Sequence, residues 1–260
     1  MKRFNFQFSI FNSTFLLLLA MLVSLGASAQ KSKPDTRAYP VAGTYTKLVV
    51  GSGFDVVMCD TVRQVMVTVP AEVHKQVLVL EEKGELHIGL HGKAKLKERP
   101  RAVIPFNARL TAIEMTAASS FDAGRFEQEY LHIYLTGASK LMGDFALKTV
   151  RMELCTSSSV NCKLECDRAS FDLSGASSVE LRGKALMKME LDLIEASSID
   201  AEKFSVKRIE GRVDGASNAI VWCTDLLNVM VDNASHLTYI GHPRIVDCPA
   251  GAMSTVKKKW

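Results

Sequence analysis

Apolar and polar residues alternate along most of this chain, and the alternation recurs with a nearly fixed period. Each repeat is anchored by a serine, and successive anchors are 20, 19, 19, 20, 20 and 18 residues apart. The seven anchors are Ser119, Ser139, Ser158, Ser177, Ser197, Ser217 and Ser235. A period this short is typical of one small structural unit stacked on itself.

Within each repeat, the alternation predicts strands on both sides of the anchor. Before Ser177, for example, Ala169, Phe171 and Leu173 are spaced by two residues, and Val179 follows the serine by two. Residues spaced by two share one face of a strand. Two or three short strands per repeat, stacked in register, predict an all-β solenoid of the β-helix type with about seven coils of 18 to 20 residues.

The anchors themselves are predicted to be structural. Each follows a small residue, and in three repeats a glycine precedes that residue: Gly137, Gly175 and Gly215. Such tripeptides are typical of corners, where a serine hydroxyl bonds neighbouring backbone amides. Nucleophilic catalysis needs an adjacent base, and no His or Asp recurs with the ladder, so the sequence gives no catalytic residue.

The region before the repeats is also predicted to be β. Alternating or apolar runs occur at 45–50, 54–58, 65–69, 77–81, 85–90 and 102–106, with one helical turn over 71–76. We interpret residues 39–112 as an N-terminal β region packed on the solenoid and 113–257 as the repeats, in one continuous domain. Residues 30–38 are polar and are predicted to form a disordered linker.

The first 29 residues have the pattern of a secretory signal peptide. Lys2 and Arg3 precede an apolar run, and Ala27-Ser28-Ala29 forms a small-x-small cleavage site. No later apolar run is long enough to span a bilayer. We expect an exported protein, periplasmic or extracellular. Loss of this segment lowers the formal net charge from +4 to +2, which does not favour a nucleic-acid partner.

Six cysteines enter an oxidising compartment in this interpretation, so disulfides are permitted but their connectivity stays open. They are Cys59, Cys155, Cys162, Cys166, Cys223 and Cys248. Cys162 and Cys166 are four residues apart, as some metal ligands are, but no second pair or nearby histidine completes a site. We expect no metal and no cofactor.

The outward positions hold the candidate binding residues. Asp172 and Asp192 stand five residues before their anchors, in a column of mixed charge that is typical of a solvated sheet face with cross-strand pairs. The other interpretation is a cation site or a glycan-binding strip. Asp214 and Asp232 stand three residues before their anchors in adjacent coils, with His236 close by, and this cluster is the first to test for chemistry.

The chain resembles a secreted family of the Bacteroidetes described as putative auto-transporter adhesin, head GIN domain. The resemblance covers residues 39–257 and rests on Gly53-Phe54-Asp55-Val56, the stretch at 83–88, and the phrase Leu-Ser-Gly-Ala-Ser-Ser-Val at 173–179. The stretch at 251–256 is similar to a last, degenerate copy with Met253 inserted. The resemblance implies a right-handed, single-stranded β-helix-like fold and a role at the cell envelope, without catalytic residues.

Three functions stay open at this point. The leading one is a non-catalytic envelope or cell-surface module that binds a glycan or a protein, since stacked repeats make extended binding surfaces. The second is a β-helical polysaccharide lyase or hydrolase using Asp214, Asp232 and His236. The third is a periplasmic sensor or assembly factor. Oligomeric state and the choice between periplasm and surface are also open.

Overall fold

The computed structural model describes residues 33–92, 94 and 96–259. The predicted signal peptide, and residues 30–32 of the predicted linker, lie outside these described residues. Within them the chain forms one short 3₁₀ helix, Ala71–Gln76, and seventeen strands in a single sheet. The strands are β1 Pro34–Tyr39, β2 Lys47–Val50, β3 Asp55–Cys59, β4 Val65–Pro70, β5 Val77–Glu82, β6 Glu85–Leu90, β7 Arg101–Pro105, β8 Ala112–Met115, β9 Ser120–Leu135, β10 Lys140–Leu154, β11 Ser159–Leu173, β12 Ser178–Leu193, β13 Ser198–Val213, β14 Asn218–Val231, β15 His236–Ile240, β16 Arg244–Asp247 and β17 Thr255–Lys258.

The repeats form a β-solenoid, as predicted, with about eight turns instead of seven. Strands β9 to β14 pair in parallel, each in register with the equivalent strand of the next turn. Each turn is one long strand of 14 to 16 residues and not the predicted two or three short ones. The strand bends where the register shifts, as between Cys166 and Arg168, so parallel pairing continues around the corner.

The predicted inward columns form the core. In the turn around Ser177, the side chains of Phe171, Leu173, Val179 and Leu181 are all at most 2% exposed. At a second corner, aromatic residues stack from turn to turn, and the rings of Phe126 and Phe145 meet edge to face with centroids 6.4 Å apart. This continuous apolar column, which no single turn could bury alone, holds the stack together.

The small residues before each anchor allow a left-handed corner. In the turn at Gly175 and Ala176, both residues have φ of 61°. Glycine adopts this left-handed conformation without a steric penalty, and alanine has only a small side chain to accommodate. The Ala176 amide donates to the carbonyl oxygen of Glu195 in the next turn, at 2.9 Å. Ser177 is buried, and its hydroxyl donates to the Ser174 carbonyl oxygen at 2.7 Å.

Not every anchor bonds in the same direction. The hydroxyls of the first four anchors donate to the carbonyl three residues earlier, whereas Ser217 and Ser235 accept from the backbone amide of the preceding anchor. The prediction of bonds to backbone amides therefore holds for these two, and the first four use a carbonyl instead. All seven anchors are at most 1% exposed, which fits a structural role.

The ladder continues to an eighth serine, Ser254, whose hydroxyl accepts from the Ser235 amide at 3.3 Å. The sequence interpretation treated Met253 as an insertion, and the structure corrects this. Met253 has φ of 62° and occupies the left-handed position that Ala234 fills one turn earlier, with φ of 61°. It replaces the small residue, so the register of the last copy is intact.

The N-terminal strands stack in an order that differs from their order in the chain. The turn made by β2 and β3 lies between the turn of β6 and β7 and the turn of β8 and β9. Beyond β6 and β7, the strands β1, β4 and β5 pair antiparallel. The predicted disorder at 30–38 is wrong for residues 34–38, because β1 pairs with β4 along its whole length.

Candidate functional site

The structure places Asp172 and Asp192 side by side on the outer face of the sheet. They are register partners in β11 and β12, and both line one open groove with a volume of about 510 Å³. We call this surface the acidic groove. Its lining residues are Ser170, Asp172, Glu190, Leu191, Asp192, Glu210, Gly211, Asn228, Met230, Asp247 and Pro249.

Two outward columns of stacked side chains build the groove. One runs from Ser170 through Glu190, Glu210 and Asn228 to Asp247, and each residue is the register partner of the next. The other column holds Asp172, Asp192, Arg212 and Met230 in the same way. Since neighbouring strands are about 4.8 Å apart, each column presents one side chain at that interval along the solenoid axis, and all of these side chains except Met230 are polar.

Gly211 explains the concave shape. It lies between Leu191 and Val229 in a column that is apolar and inward-facing in the other turns, yet Gly211 is exposed. Its φ of 140° is a conformation that L side chains rarely adopt, and a Cβ there would lie 1.9 Å from the Leu191 carbonyl oxygen. Backbone, and not a side chain, therefore forms the groove surface between Glu210 and Arg212.

Cations around the groove neutralise part of its negative charge. Lys188 Nζ lies 2.9 Å from Glu190 and 2.7 Å from Glu210. Arg212 bonds both carboxylate oxygens of Asp192, at 2.9 and 3.2 Å. Outside the first column, Arg168, Lys188 and Arg208 are register partners and form a basic rim. The site therefore offers carboxylate acceptors next to ammonium and guanidinium donors.

The pKa of Asp172 is raised above its ordinary value. Burial is the largest cause; Arg151, whose guanidinium lies 2.8 Å away, opposes it, while Glu153, Asp192 and Glu190 raise the pKa further. Lys188 has a raised pKa because its ammonium is bonded by Glu210 and Glu190. Asp247 is an exposed residue that lines the same groove.

The other three candidates do not join this groove. Asp214 accepts from the Gly215 amide at 2.6 Å and from the Asn233 side-chain amide at 2.6 Å. Asp232 accepts from the Asn233 amide in the same way, at 2.7 Å. These carboxylates start the corners, where a short polar side chain bonds the backbone of the turn. They hold the turns in place.

His236 lies beyond that corner, at the start of β15. Its Nδ1 is 2.8 Å from the Thr255 hydroxyl of the next turn. No hydrogen bond or ion pair in the described residues joins His236 to Asp214 or Asp232. Asp214 and Asp232 follow register partners in adjacent turns, and His236 is hydrogen-bonded to neither of them.

The six cysteines are free thiols in the structure. Burial raises the pKa of Cys162 and of Cys166 to about 12 in each case, so both behave as small apolar core residues. Among residues 33–259, apart from positions 93 and 95, no group of three His, Cys, Asp or Glu has the arrangement of a metal site.

Comparison with known proteins decides the family. The model of one family, putative auto-transporter adhesin, head GIN domain, matches residues 44–243. The chain belongs to this head GIN domain family. None of the curated proteins compared matches it.

Solved structures share the fold of this head GIN domain protein at low sequence identity. A putative adhesin from Parabacteroides merdae superposes with a TM-score of 0.80 at 15% identity, covering 87% of this chain and 96% of that one. A putative adhesin from Parabacteroides distasonis gives 0.78 at 20% identity, with coverages of 88% and 98%. A protein from the same species described as a putative lipid binding protein gives 0.76 at 16%, with coverages of 87% and 97%.

The head GIN domain fold and family agree with a non-catalytic surface module. None of the helices that the structure describes is long and apolar enough to cross a membrane.

Sequence reasoning found Asp172 and Asp192 and missed two other features of the groove. Asp247 lies in a segment outside the seven repeats, so no column identified it. Gly211 was visible as the one glycine in an otherwise apolar inward column, and that break in the pattern was the available signal.

Proposed function

We propose that this protein is an exported, non-catalytic binding module of the cell envelope and that the acidic groove binds a hydroxyl-rich glycan. The observation that carries the proposal is the pair of outward columns, which present carboxylates, the Asn228 amide and cationic donors at regular intervals along an open groove. Membership of a family described as adhesins supports a role in attachment.

The chemistry of the groove favours a neutral, hydroxylated chain. A sugar hydroxyl donates to a carboxylate such as Glu190 and accepts from Lys188 or Asn228, so both kinds of group find partners. A simple polycation would meet the basic rim of Arg168, Lys188 and Arg208, and a polyanion would meet five carboxylates. An extended groove also suits a polymer, whose repeating units follow the repeating strands.

The proposal is tested with the chain from Gln30 onward on a glycan array and against an envelope extract. We expect binding to a subset of polysaccharides, and we expect the double variant Asp172→Asn, Glu190→Gln to lose most of it. Glu180→Gln is the matched control, because Glu180 lies on the same strand, β12, outside the groove and is held by Arg182 and Asn161. Equal loss in the control would contradict the proposal.

The same experiment separates the other functions. Cleavage of a bound polysaccharide that Asp232→Ala abolishes would establish an enzyme. Retention of one protein from the extract, with no polysaccharide bound, would favour a sensor or assembly factor. Vesicles of phosphatidylethanolamine are included because one structural relative is described as a putative lipid binding protein. Binding to vesicles alone would replace the glycan proposal.

A further inference from the structure

One corner of the solenoid exposes two apolar side chains next to each other. Leu186 and Met187, both in β12, are 49% and 48% exposed. The residue that lies opposite this pair is Asp167 in β11 and Lys207 in β13. The corner is therefore charged in the two adjoining turns and apolar in this one. We call Leu186 and Met187 the apolar corner.

A bulge in β12 creates the apolar corner. Leu186 and Met187 lie between two paired positions of β11 and β12, and together they oppose the single residue Asp167. On the other side of β12 they oppose the single residue Lys207 in the same way. An extra residue of this kind bends the strand and redirects its side chains. Both apolar side chains are exposed, whereas strict alternation along a strand would turn one of them inward.

Basic side chains outnumber acidic ones around the apolar corner. Within two positions of the corner, strands β11 to β13 carry five cations: Arg168, Lys184, Lys188, Lys207 and Arg208. They carry two carboxylates, those of Glu165 and Asp167. Five positive and two negative charges leave this part of the surface positive.

Lys207 is the cation placed most directly for an anionic ligand of the apolar corner. It is exposed and lies opposite Leu186 and Met187. Two of the other cations also face carboxylates of neighbouring positions. Lys188 lies 2.7 Å from Glu210, and Arg208 lies 3.6 Å from Asp225.

The size and the charge of this surface favour a lipid bilayer over a protein partner. Two half-exposed side chains are too few for a stable protein interface, which buries about 800 Å² on each partner. A protruding apolar pair can enter the boundary between headgroups and acyl chains, while lysines and arginines around it attract anionic headgroups. A soluble polyanion would contact the same cations but would leave Leu186 and Met187 in water.

We propose that the apolar corner binds the surface of an anionic lipid membrane, with Leu186 and Met187 inserted among the headgroups and Lys207 in contact with their phosphates. This surface is separate from the acidic groove. The two share no residue, and the basic rim lies between the apolar corner and the groove carboxylates of Glu190 and Glu210.

The test is flotation of the chain from Gln30 onward with vesicles of phosphatidylglycerol and phosphatidylcholine in equal parts, and with vesicles of phosphatidylcholine alone. We expect binding to the mixed vesicles only, and we expect added salt to weaken it. Leu186→Ser with Met187→Ser should lower the partition coefficient about tenfold or more, because less apolar area enters the lipid. Lys207→Glu should lower it about tenfold, because a repulsion replaces an attraction.

Met142→Ser is the matched control. Met142 is 50% exposed and lies on another face, in the column of Asp122 and Asn161. This variant should leave vesicle binding unchanged, and so should the groove variant Asp172→Asn, Glu190→Gln. Circular dichroism melting checks that the corner variants are folded, which we expect because the changed residues are exposed.

The proposal is overturned if the wild type binds neither kind of vesicle or binds both equally. Vesicle binding that either corner variant leaves unchanged, or that Met142→Ser reduces as strongly, also overturns it. Loss of vesicle binding in the groove variant would assign the lipid contact to the acidic groove and contradict a separate surface.

Discussion

The carbonyl oxygen of Leu191 lies 1.9 Å from the position that a Cβ atom would take on Gly211. Leu191 and Gly211 are register partners in β12 and β13, so the close approach joins two turns of the solenoid. The glycine at this position is therefore required by backbone packing. It also leaves the floor of the acidic groove free of a side chain.

Gly211→Ala should destabilise the protein by about 2 to 3 kcal/mol, because it combines a disfavoured φ with a backbone clash. Urea denaturation measures the change. Gly124→Ala is the matched control: Gly124 also has a positive φ, of 60°, but a Cβ there meets no atom within 4 Å. We expect this control to cost about 1 kcal/mol, from the left-handed backbone alone. Equal costs would show that the clash with Leu191 is not real.

Glu195→Gly should stabilise the protein. Glu195 has φ of 56° at the corner position that Gly175 and Gly215 occupy in the neighbouring turns. Removing the strained side chain gains about 1 kcal/mol, less the extra freedom of glycine in the unfolded chain. Thermal melting measures the shift. Glu180→Gly, at an extended strand position, should be destabilising, and a lower melting temperature for both variants would contradict the left-handed corner.

Leu173→Asp should unfold the neighbouring turns, whereas Ser178→Lys should be tolerated. Leu173 is 1% exposed in the core, so an aspartate there is an unpaired buried charge that costs about 4 kcal/mol or more. Ser178 is an outward residue in the column of Ser159 and Lys140, where a lysine already stands. Circular dichroism and proteolysis distinguish the two. Similar behaviour of both variants would refute the assignment of inside and outside.

The carboxyl group of Asp172 should titrate above the ordinary aspartate value of about 3.9, and this is measurable by carbon-13 NMR. Burial is the main cause of the raised pKa, and Arg151 opposes it, so Arg151→Gln should raise the pKa further. A pKa at or below the ordinary value in the wild type would contradict the structure of the groove.

The raised pKa of Asp172 also determines whether its contribution to stability rises or falls with pH. A carboxyl with a raised pKa binds more protons in the folded state than in the unfolded state. Its contribution to the free energy of unfolding therefore falls as the pH rises from about 3.9 through the pKa of folded Asp172. Wild type should lose stability relative to Asp172→Asn across this interval, and a gain would reverse the assigned shift.

The repeat region could be predicted from sequence because two periods coincide there. The two-residue alternation decides which face Phe171 and Val179 share, and the period of about 19 residues decides what stacks on them. The insertion of β2 and β3 between two later turns could not be predicted in this way. That order depends on pairing between distant strands such as β2 and β6, for which the chain carries no repeated phrase.

Only part of the candidate site could be predicted from the sequence, for a similar reason. Asp172 and Asp192 were found because they belong to a column, and the structure brings them into one groove. Asp214 and Asp232 were also found by column, but they lie outside the groove, and one carboxylate oxygen of each accepts a hydrogen bond from the backbone of its own turn. Column position identifies an outward residue, not whether its polar atoms are already occupied.

Hydrogen–deuterium exchange of the chain from Gln30 onward, with and without an envelope polysaccharide extract, tests most directly whether the acidic groove is the ligand surface. The account predicts slower exchange of backbone amides at 190–192, 210–212 and 228–230, which line or border the groove, and no change at 40–44 and 79–84, which line a second groove. Protection confined to the second groove would contradict the account. So would binding of a polysaccharide from the extract that slows the exchange of no backbone amide in the acidic groove.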